Sequence, residues 1–355
     1  MIKRYIKPVL WILSCLAMTI IFDFQSGFAQ EKSILKDSLA ENMLIYQRSI
    51  GGWPKAVNEV KVDYSKLLTD DQKRSIKSDS LHNDATIDNS ATTKEVRYLV
   101  KAYKQTTNRI YLASAEKGLR YLFKAQYANG GWPQYYPDAR FYYGQITYND
   151  NAMINVLNIL QDLTLGMNDF DAVDHSLVLI AETAIKKGVD CILKTQVKVN
   201  GKLTVWCAQY DKESLLPVKA RAYELVSLSG MESVNIVEFL MRIKNPSPEI
   251  KQSIVNAINW FDAVKIKGYK FVDINDASQP EGKGRVLVAD PQSIIWARFY
   301  DIKTNQPFFT GRDGIIKKTV AEIEIERRTG YAWYGTWPAS LISKKYPKWL
   351  KSVGG

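Results

Sequence analysis

The chain has 355 residues and a formal net charge of +11, a length that suits one large domain or two lobes. The basic balance favours an anionic partner. The sequence contains no recognisable nucleic-acid module and no dense Lys/Arg tract, so we predict that it does not bind nucleic acid. An acidic polysaccharide is the better candidate, and charge kept only for solubility is the alternative.

The first residues have the pattern of an export signal. Lys3, Arg4 and Lys7 precede an apolar run over residues 8–22, and small residues lead up to Ala29. This pattern is typical of a secretory signal peptide and not of a spanning helix. Cleavage after Ala29 would lower the net charge to +9, because Asp23 leaves with the three basic residues. We therefore expect an exported chain over 30–355, periplasmic or extracellular, monomeric and without a lipid anchor.

Cysteine and histidine are scarce. Cys191 and Cys207 are the two cysteines left after cleavage, and nothing in the sequence decides whether they pair. No Cys/His spacing suits zinc, and His82 and His175 are the only histidines. If the protein is an enzyme, we do not expect histidine to be its base.

The first part of the chain reads as helices separated by loops. We predict helices over 38–49, 92–104 and 110–125 from their apolar spacing. Thr92 and Glu95 have the spacing of a capping box. The polar stretch 58–85 is predicted to be a long surface loop, a feature that in a compact domain is often functional.

An internal repeat organises these helices. Gln47 and Gly51-Gly52-Trp53-Pro54 recur 79 positions later as Gln126 and Gly130-Gly131-Trp132-Pro133, and a degraded copy begins at Gln196. Each copy ends a helix with glycine, as a C-cap requires. Repeated helical hairpins of this kind predict an incomplete α/α toroid, an (α/α)3 barrel, over about 38–245, completed by 246–355. The inner helices of such a toroid share one direction, so their N-terminal ends meet at one mouth.

Charged residues stand at three predicted helix starts. Asp88 precedes the helix at 92, and Asp150 opens a helix whose apolar residues follow a 3.6 period. Arg221 and Glu224 precede a third helix near Ser229. A single aspartate at such a place is often only a cap, but its recurrence predicts a shared cleft. Oxygen ligands such as Asp88, Asp150 and Glu224 favour a hard cation, Ca²⁺.

The C-terminal part combines strands, helices and aromatic loops. We predict a helix over 253–264, short strands at 268–274 and 285–288, and a helix that begins at Asp290-Pro291 and carries Arg298. Aromatic side chains in loops suit sugar stacking, although most tryptophans belong to a core. Trp132 and Tyr331 are our candidates for substrate contact.

Several segments together resemble a known family. They are ATIDNSATT (85–93), NGGWPQYYP (129–137), ITYNDNAM (146–153), TVWCAQY (204–210), ARAYE (220–224), WARFY (296–300) and GYAWYG (330–335). They are similar to segments of the family 10 polysaccharide lyases, pectate lyases with an α/α-toroid fold. The segments follow one another in order over almost the whole mature chain, so their joint specificity is high.

The resemblance implies a function and a set of roles. Members of this family degrade polygalacturonate by Ca²⁺-assisted β-elimination, which leaves 4,5-unsaturated products. By motif, Arg221 resembles the catalytic arginine, and Asp88 and Asp150 resemble acids on the calcium and substrate side. Arg298 and Arg312 resemble the arginines that bind substrate carboxylates. Glu224 is a further calcium-site candidate.

Arginine is an unusual base, because its reference pKa is about 12.5–13.8. Calcium and other nearby cations would make the neutral form of Arg221 more accessible, but Glu224 would oppose that shift. The base role therefore rests on the resemblance alone. The alternative for Arg221 is an ion-pair residue that links helices.

Three other functions compete with this hypothesis. A glycoside hydrolase on the same toroid would use Asp88 and Asp150 as acid and base, with no cation and no arginine cluster. An inactive surface protein would only bind acidic glycans. The Gln-x-x-x-Gly-x-Trp repeats also resemble those of triterpene cyclases, but the acidic initiation motif of that family is missing.

Overall fold

The structure is a computed structural model that describes residues 1, 35–279 and 282–354. The predicted signal peptide lies outside these residues. Within them, no helix combines the length and the apolar character that crossing a membrane requires.

Helices dominate the first two thirds of the chain. In chain order they are α1 (Ser38–Tyr46), α2 (Asp70–Ser78), α3 (Thr93–Thr106), α4 (Arg109–Ala125), α5 (Ala152–Leu165), α6 (Ser176–Thr195), α7 (Glu232–Met241) and α8 (Pro248–Ala263). Shorter helices follow at α9 (Ile325–Gly330), α10 (Trp337–Ser340) and α11 (Tyr346–Ser352). Single 3-10 turns at Asp88–Ser90 and Asn149–Asn151 stand just before α3 and α5.

The helices pair as antiparallel hairpins that form an incomplete α/α toroid. Helix α3 packs on α4, α5 on α6, and α7 on α8. The first helices of the hairpins contact one another, α3 to α5 and α5 to α7, and form the inner layer. The second helices do the same, α4 to α6 and α6 to α8, and form the outer layer. The predicted fold class is confirmed.

The tryptophan of each repeat hydrogen-bonds to the helix that precedes it. The indole nitrogens of Trp53, Trp132 and Trp206 donate to the carbonyls of Met43, Leu122 and Ile192, at 2.8, 2.8 and 2.7 Å. Each acceptor carbonyl lies near the end of the preceding helix. All three rings are fully buried. These bonds satisfy a buried donor and a helix-terminal acceptor together.

The glutamine of each repeat links neighbouring outer helices in the same way. Gln126 donates to the carbonyls of Gly130 and Ala184, at 3.1 and 2.9 Å. Gln47 and Gln196 make equivalent pairs of bonds, to Gly51 and Ser114 and to Thr204 and Ser253. The sequence repeat is therefore a repeat of hydrogen bonds, and the degraded third copy keeps them.

Short strands connect the hairpins, and one longer sheet lies in the C-terminal part. The long strands are β8 (Ile266–Asn275) and β9 (Lys283–Ala297), which pair antiparallel, and β13 (Tyr334–Gly335) adds to the other edge of β9. The shorter strands are β1 (Ala56–Val57), β2 (Val60–Lys61), β3 (Ile146–Thr147), β4 (Lys198–Val199), β5 (Lys202–Leu203), β6 (Gln209–Tyr210), β7 (Leu228–Ser229), β10 (Phe299–Tyr300), β11 (Phe309–Thr310) and β12 (Ile316–Lys317).

Four local predictions need correction. The helix predicted from Asp290 is part of β9, because the β-branched residues up to Ile295 pair across to β8 and outweigh the Asp-Pro start signal. Helix α1 ends at Tyr46, not at 49. The predicted loop 58–85 contains α2, which Thr69 caps. Thr92 makes no cap bond to α3, because its hydroxyl joins Trp53 to Thr86.

Candidate active site

The starts of the three inner helices are built alike. The carbonyls of Trp53, Trp132 and Trp206 accept from the backbone N–H of Thr86, Thr147 and Ser229, at 3.0, 3.1 and 2.8 Å. An acidic residue follows two or three positions after each of these donors: Asp88, Asp150 and Glu232. The repeat therefore delivers an acid to the N-terminal end of every inner helix.

The turns that contain Asp88 and Asp150 both include left-handed backbone. Asn89 and Asp150 have φ values of 48° and 50°. Asparagine and aspartate tolerate this region better than other residues with side chains. A bond of 3.2 Å from Asn155 of α5 to Ser90 links the first turn to the helix that follows the second turn.

Asp88 and Asp150 lie close enough to repel each other, and each has a cationic partner. Lys55 forms an ion pair with the buried carboxylate of Asp88 and lies 5.8 Å from the ring centre of Tyr135. Arg298 lies 3.5 Å from Asp150. Burial raises the pKa of Asp150; Arg298 acts against this shift, whereas the carboxylates of Glu232 and Asp88 add to it. The three carboxylates of Asp88, Asp150 and Glu232 outnumber the two cations, Lys55 and Arg298, that pair with them.

Glu232 is the third acid of the mouth. Its carboxylate is almost completely buried and accepts from Arg298 and from the Ser229 hydroxyl. Burial disfavours the charge on Arg298, but Glu232, Tyr331 and Asp150 together outweigh this effect and raise the pKa of the guanidinium. Arg298 also stacks on Tyr331, 4.5 Å from the ring centre. Arg298 thus links the buried Glu232 to the more exposed Asp150.

Arg221 and Glu224 form a turn of their own. The Nε of Arg221 donates to Glu224 at 2.8 Å, and a second guanidinium nitrogen pairs with the same carboxylate. Almost half of the Arg221 side chain is exposed. The hydrogen bond with Glu224 raises the pKa of Arg221. In this arrangement Arg221 is a charged guanidinium at the rim of the site.

Tyr223 gathers three arginines. The guanidinium carbons of Arg221, Arg312 and Arg327 lie 5.0, 4.9 and 4.7 Å from its ring centre. Arg312 is half-exposed and pairs with Glu326 at 2.7 Å. Arg327 is buried, and burial lowers its pKa. Three cations on one aromatic ring form a positive wall beside Glu224.

Tyr331 connects the arginine wall to the acids. Its ring lies 4.5 Å from the guanidinium carbon of Arg298 and 4.5 Å from that of Arg327. Burial raises the pKa of its hydroxyl, and both Glu232 and Glu224 act in the same direction. The structure therefore places Asp150 in contact with Arg298 and within electrostatic range of Asp88. Arg221 and Arg312 reach this group through Tyr223, Arg327 and Tyr331.

One predicted substrate-contact residue takes another place. Trp132 is fully buried with its indole nitrogen bonded to Leu122, so it cannot stack on a sugar. Glu224 pairs with Arg221 in this structure, and its place in a calcium site stays a prediction. Among the described residues, no group of three His, Cys, Asp or Glu side chains is placed to hold a metal ion. Cys191 and Cys207 are both buried and free.

Four residues of the site were not predicted: Lys55, Tyr223, Glu232 and Arg327. Glu232 had a usable signal, because it occupies the position of Asp150 in the third copy of the repeat. Tyr223 lies between Arg221 and Glu224 in the ARAYE segment. Lys55 directly follows the first Gly-Gly-Trp-Pro segment, where the second copy has Gln134.

Comparison with known proteins places the chain in a family. The family model for pectic acid lyase matches residues 47–342. The chain belongs to the pectic acid lyase family. A search of curated protein sequences gives no significant match.

Two solved structures have the same fold as this pectate lyase. One is a family 10 polysaccharide lyase from Cellvibrio cellulosa, with 35% sequence identity and a TM-score of 0.75 over 89% of this chain and 92% of that chain. The other is an aspartate-to-alanine mutant of that lyase in complex with trigalacturonic acid, with the same identity and TM-score over 90% and 93% of the two chains. The predicted family and the predicted class of enzyme, a polysaccharide lyase, are confirmed.

Proposed function

We propose that this pectate lyase cleaves α-1,4-polygalacturonate by Ca²⁺-assisted β-elimination, with Arg221 as base and 4,5-unsaturated oligogalacturonates as products. The observation that carries the proposal is the shared mouth of Asp88, Asp150 and Arg298 beside the arginine wall of Tyr223. The carboxylates of a polyuronate can pair with the arginines of the site. A calcium ion bound to the polyuronate can at the same time bind to Asp88 and Asp150.

The donor set fits calcium. Asp88 and Asp150 present only oxygen atoms, the ligands that Ca²⁺ prefers, and their mutual repulsion favours a cation between them. Lys55 and Arg298 already pair with these acids, so two protein carboxylates alone would bind the ion weakly and substrate carboxylates would complete the site. Bound calcium would withdraw negative charge from the substrate carboxylate.

The remaining cations suit the substrate carboxylates. Arg298 has its guanidinium fixed by Glu232 and Tyr331, so little side-chain entropy is lost when it binds a ligand. Arg312 is half-exposed and held against Tyr223 by Glu326. We assign both arginines to carboxylate binding, with Tyr331 as the aromatic contact between them. Lys55 offers a further cation next to Asp88.

The elimination itself needs a base at C5 of the uronate. In the proposed step the neutral form of Arg221 takes the C5 proton, the C–H electron pair forms the C4=C5 double bond, and the bond from C4 to the glycosidic oxygen breaks. The leaving oxygen keeps that bonding pair and takes a proton from water, and Arg221 afterwards returns its proton to solvent. A positively charged group next to the uronate carboxylate stabilises the enolate-like transition state. Glu224 raises the pKa of Arg221, so Arg221 must leave this carboxylate to act. Arg312 and Arg327, which share the Tyr223 ring with Arg221, oppose its charged form.

We also infer that the enzyme is exported and works as a monomer on polysaccharide outside the cytoplasm. The basic and apolar pattern of residues 3–29 supports export. Two free buried cysteines are compatible with either redox environment.

The test is an assay on polygalacturonate with Ca²⁺ and with a chelator, followed by the absorbance of the unsaturated uronate. We expect absorbance to grow with Ca²⁺ and to stop with the chelator. New reducing ends without this absorbance would indicate a hydrolase and overturn the proposal. Binding of the polymer without any cleavage would indicate a glycan-binding protein.

A further inference from the structure

A polar groove runs along the inner layer of the toroid, beside the mouth. It has a volume of about 530 Å³ and lies between α3, α5 and α7. We call it the basic groove and define it by Lys94, Arg97, Asn155, Asn158, Asp162 and Arg242. Apart from Asn155, whose bond to Ser90 is described above, none of these residues belongs to the candidate active site.

The polar residues of α5 show that the groove is built into the helix pattern. This helix is apolar and buried along most of its length, but Asn155 and Asn158 are half-exposed. Asn155, Asn158 and Asp162 follow each other at i, i+3 and i+7, so they form one stripe on one face. The stripe faces neighbouring inner helices, since Asp162 bonds to Arg97 of α3 and Asn158 bonds to Arg242 after α7.

The groove has more positive than negative charge. The carboxylate of Asp162 is buried and shared by Arg97 and Arg242, at 2.5 and 2.6 Å. Each of these arginine side chains is still 36% exposed. Lys94 lies 3.6 Å from the buried carboxylate of Glu95. The three cations Lys94, Arg97 and Arg242 exceed the two carboxylates of Asp162 and Glu95 by one positive charge.

The hydrogen-bonding groups of the groove suit a sugar acid. Its cations match a carboxylate, and the amides of Asn155 and Asn158 match hydroxyl groups, because an amide both donates and accepts. In its contacts with the described residues, Arg97 hydrogen-bonds to Asp162 through a single nitrogen, so other donors of its fork can serve a ligand.

The groove begins at the mouth. Ser90 lies in its lining, only two positions after Asp88, and its hydroxyl accepts from Asn155. A polyuronate chain that leaves the mouth along this side would meet the cations of the groove next. We propose that the basic groove is a second carbohydrate-binding site, which takes uronate residues of a polygalacturonate chain. This proposal rests on the proposed substrate of the mouth.

The experiment measures binding of oligogalacturonates to the full chain in Ca²⁺ by titration calorimetry. Arg221→Ala is used as the background so that the ligand is not cleaved. The groove is altered by Lys94→Glu and, separately, by Asn158→Leu, which leave the Arg97–Asp162–Arg242 cluster in place. The matched control is Lys124→Glu, the same charge change at an exposed position of the outer helix α4.

We expect Lys94→Glu to weaken binding of hexagalacturonate roughly tenfold, because an attraction is replaced by a repulsion. Asn158→Leu should weaken it in the same direction, and the Lys124→Glu control should bind as before. A neutral galactose hexasaccharide should not respond to any of these changes. A stoichiometry of one hexasaccharide per chain would mean that one polymer spans mouth and groove, and a stoichiometry of two would mean that separate molecules fill them.

Equal binding by the Lys94→Glu, Asn158→Leu and control proteins would overturn the proposal. That result differs from failure of the proposed function, in which no oligogalacturonate would bind to any of the proteins. Thermal unfolding of each variant checks that a loss of binding does not come from a loss of fold.

Discussion

The buried pair of Arg298 and Glu232 gives a prediction that separates folding from substrate binding. Arg298→Met leaves the carboxylate of Glu232 buried with only the Ser229 hydroxyl as a partner and with Asp150 nearby. Removal of one partner of a buried ion pair costs about 3–5 kcal/mol. Asp150 also loses its nearby guanidinium, so we expect the upper half of this range.

The test is completed by a second substitution, Glu232→Leu, which removes the other partner of the ion pair. The double variant Arg298→Met/Glu232→Leu has no unpaired charge at this position, and an apolar pair of similar volume is often as stable as the ion pair it replaces. We therefore expect most of the lost free energy of unfolding to return. Activity should not return, because Arg298 is assigned to the substrate carboxylate and methionine cannot bind it.

The assays are unfolding in denaturant and the initial rate on polygalacturonate, both on the single and double variants. A single variant that loses less than about 1 kcal/mol would show that the pair is solvated like a surface pair. A double variant that regains both stability and activity would show that Arg298 only supports the fold. Either result would refute the reasoning.

Three further predictions concern separate parts of the molecule. Arg221→Ala should abolish turnover and change the free energy of unfolding by at most about 1 kcal/mol, since almost half of the Arg221 side chain is exposed; Arg74→Ala, which removes another arginine from a pair at the same i, i+3 spacing, should leave the rate unchanged. Asp150→Ala should raise the Ca²⁺ concentration needed for half-maximal rate, measured by titration of the metal, and an unchanged midpoint would remove Asp150 from the calcium site. Burial alone would raise the pKa of Asp162, but hydrogen bonds from Arg97 and Arg242 outweigh it and lower that pKa. Its contribution to stability should therefore be full above the unfolded value of about 3.9 and disappear as the pH falls through the lower folded value; a melting temperature that falls with acid equally in wild type and Asp162→Asn would contradict this.

The toroid and the place of its acids could be predicted because the repeat is local and strong. Apolar spacing fixes the inner helices, and glycine ends the helix before each tryptophan. The same repeat brings Asp88 and Asp150 to equivalent positions, so their proximity follows from the pattern even though they lie far apart in the chain. Glu232 obeys the same rule, and only the degraded third copy hid it.

The role of Trp132 could not be predicted from its motif. Gly-Gly-Trp-Pro looks like an exposed turn, but the glycines serve close packing: a Cβ on Gly131 would lie 2.5 Å from the side chain of Ile146. The ring therefore fits below the turn and bonds to Leu122. Sequence motifs do not distinguish an aromatic ring that a loop displays from one that it buries.

Contacts between side chains of different elements could not be predicted from the sequence either. Nothing in the local pattern shows that Lys55 pairs with Asp88, or that Arg298 lies closer to Glu232 than to Asp150. Arg298 was placed on a helix, although β9 carries the chain to it. The strand forms because pairing with β8 satisfies backbone groups along most of β9, and the partner strand is not visible in the local sequence pattern.

The most direct test of the account is the fate of water during cleavage. Polygalacturonate is digested in heavy-oxygen water with Ca²⁺ for a short time, and the new ends are analysed by mass spectrometry. Elimination at the mouth of Asp88, Asp150 and Arg298, with Arg221 as base, predicts that the fragment with the new unsaturated end is lighter by one water than the hydrolysis product. No heavy oxygen is introduced by bond cleavage. Heavy oxygen built into one new end per cleavage, with saturated sugars on both sides, would contradict the account.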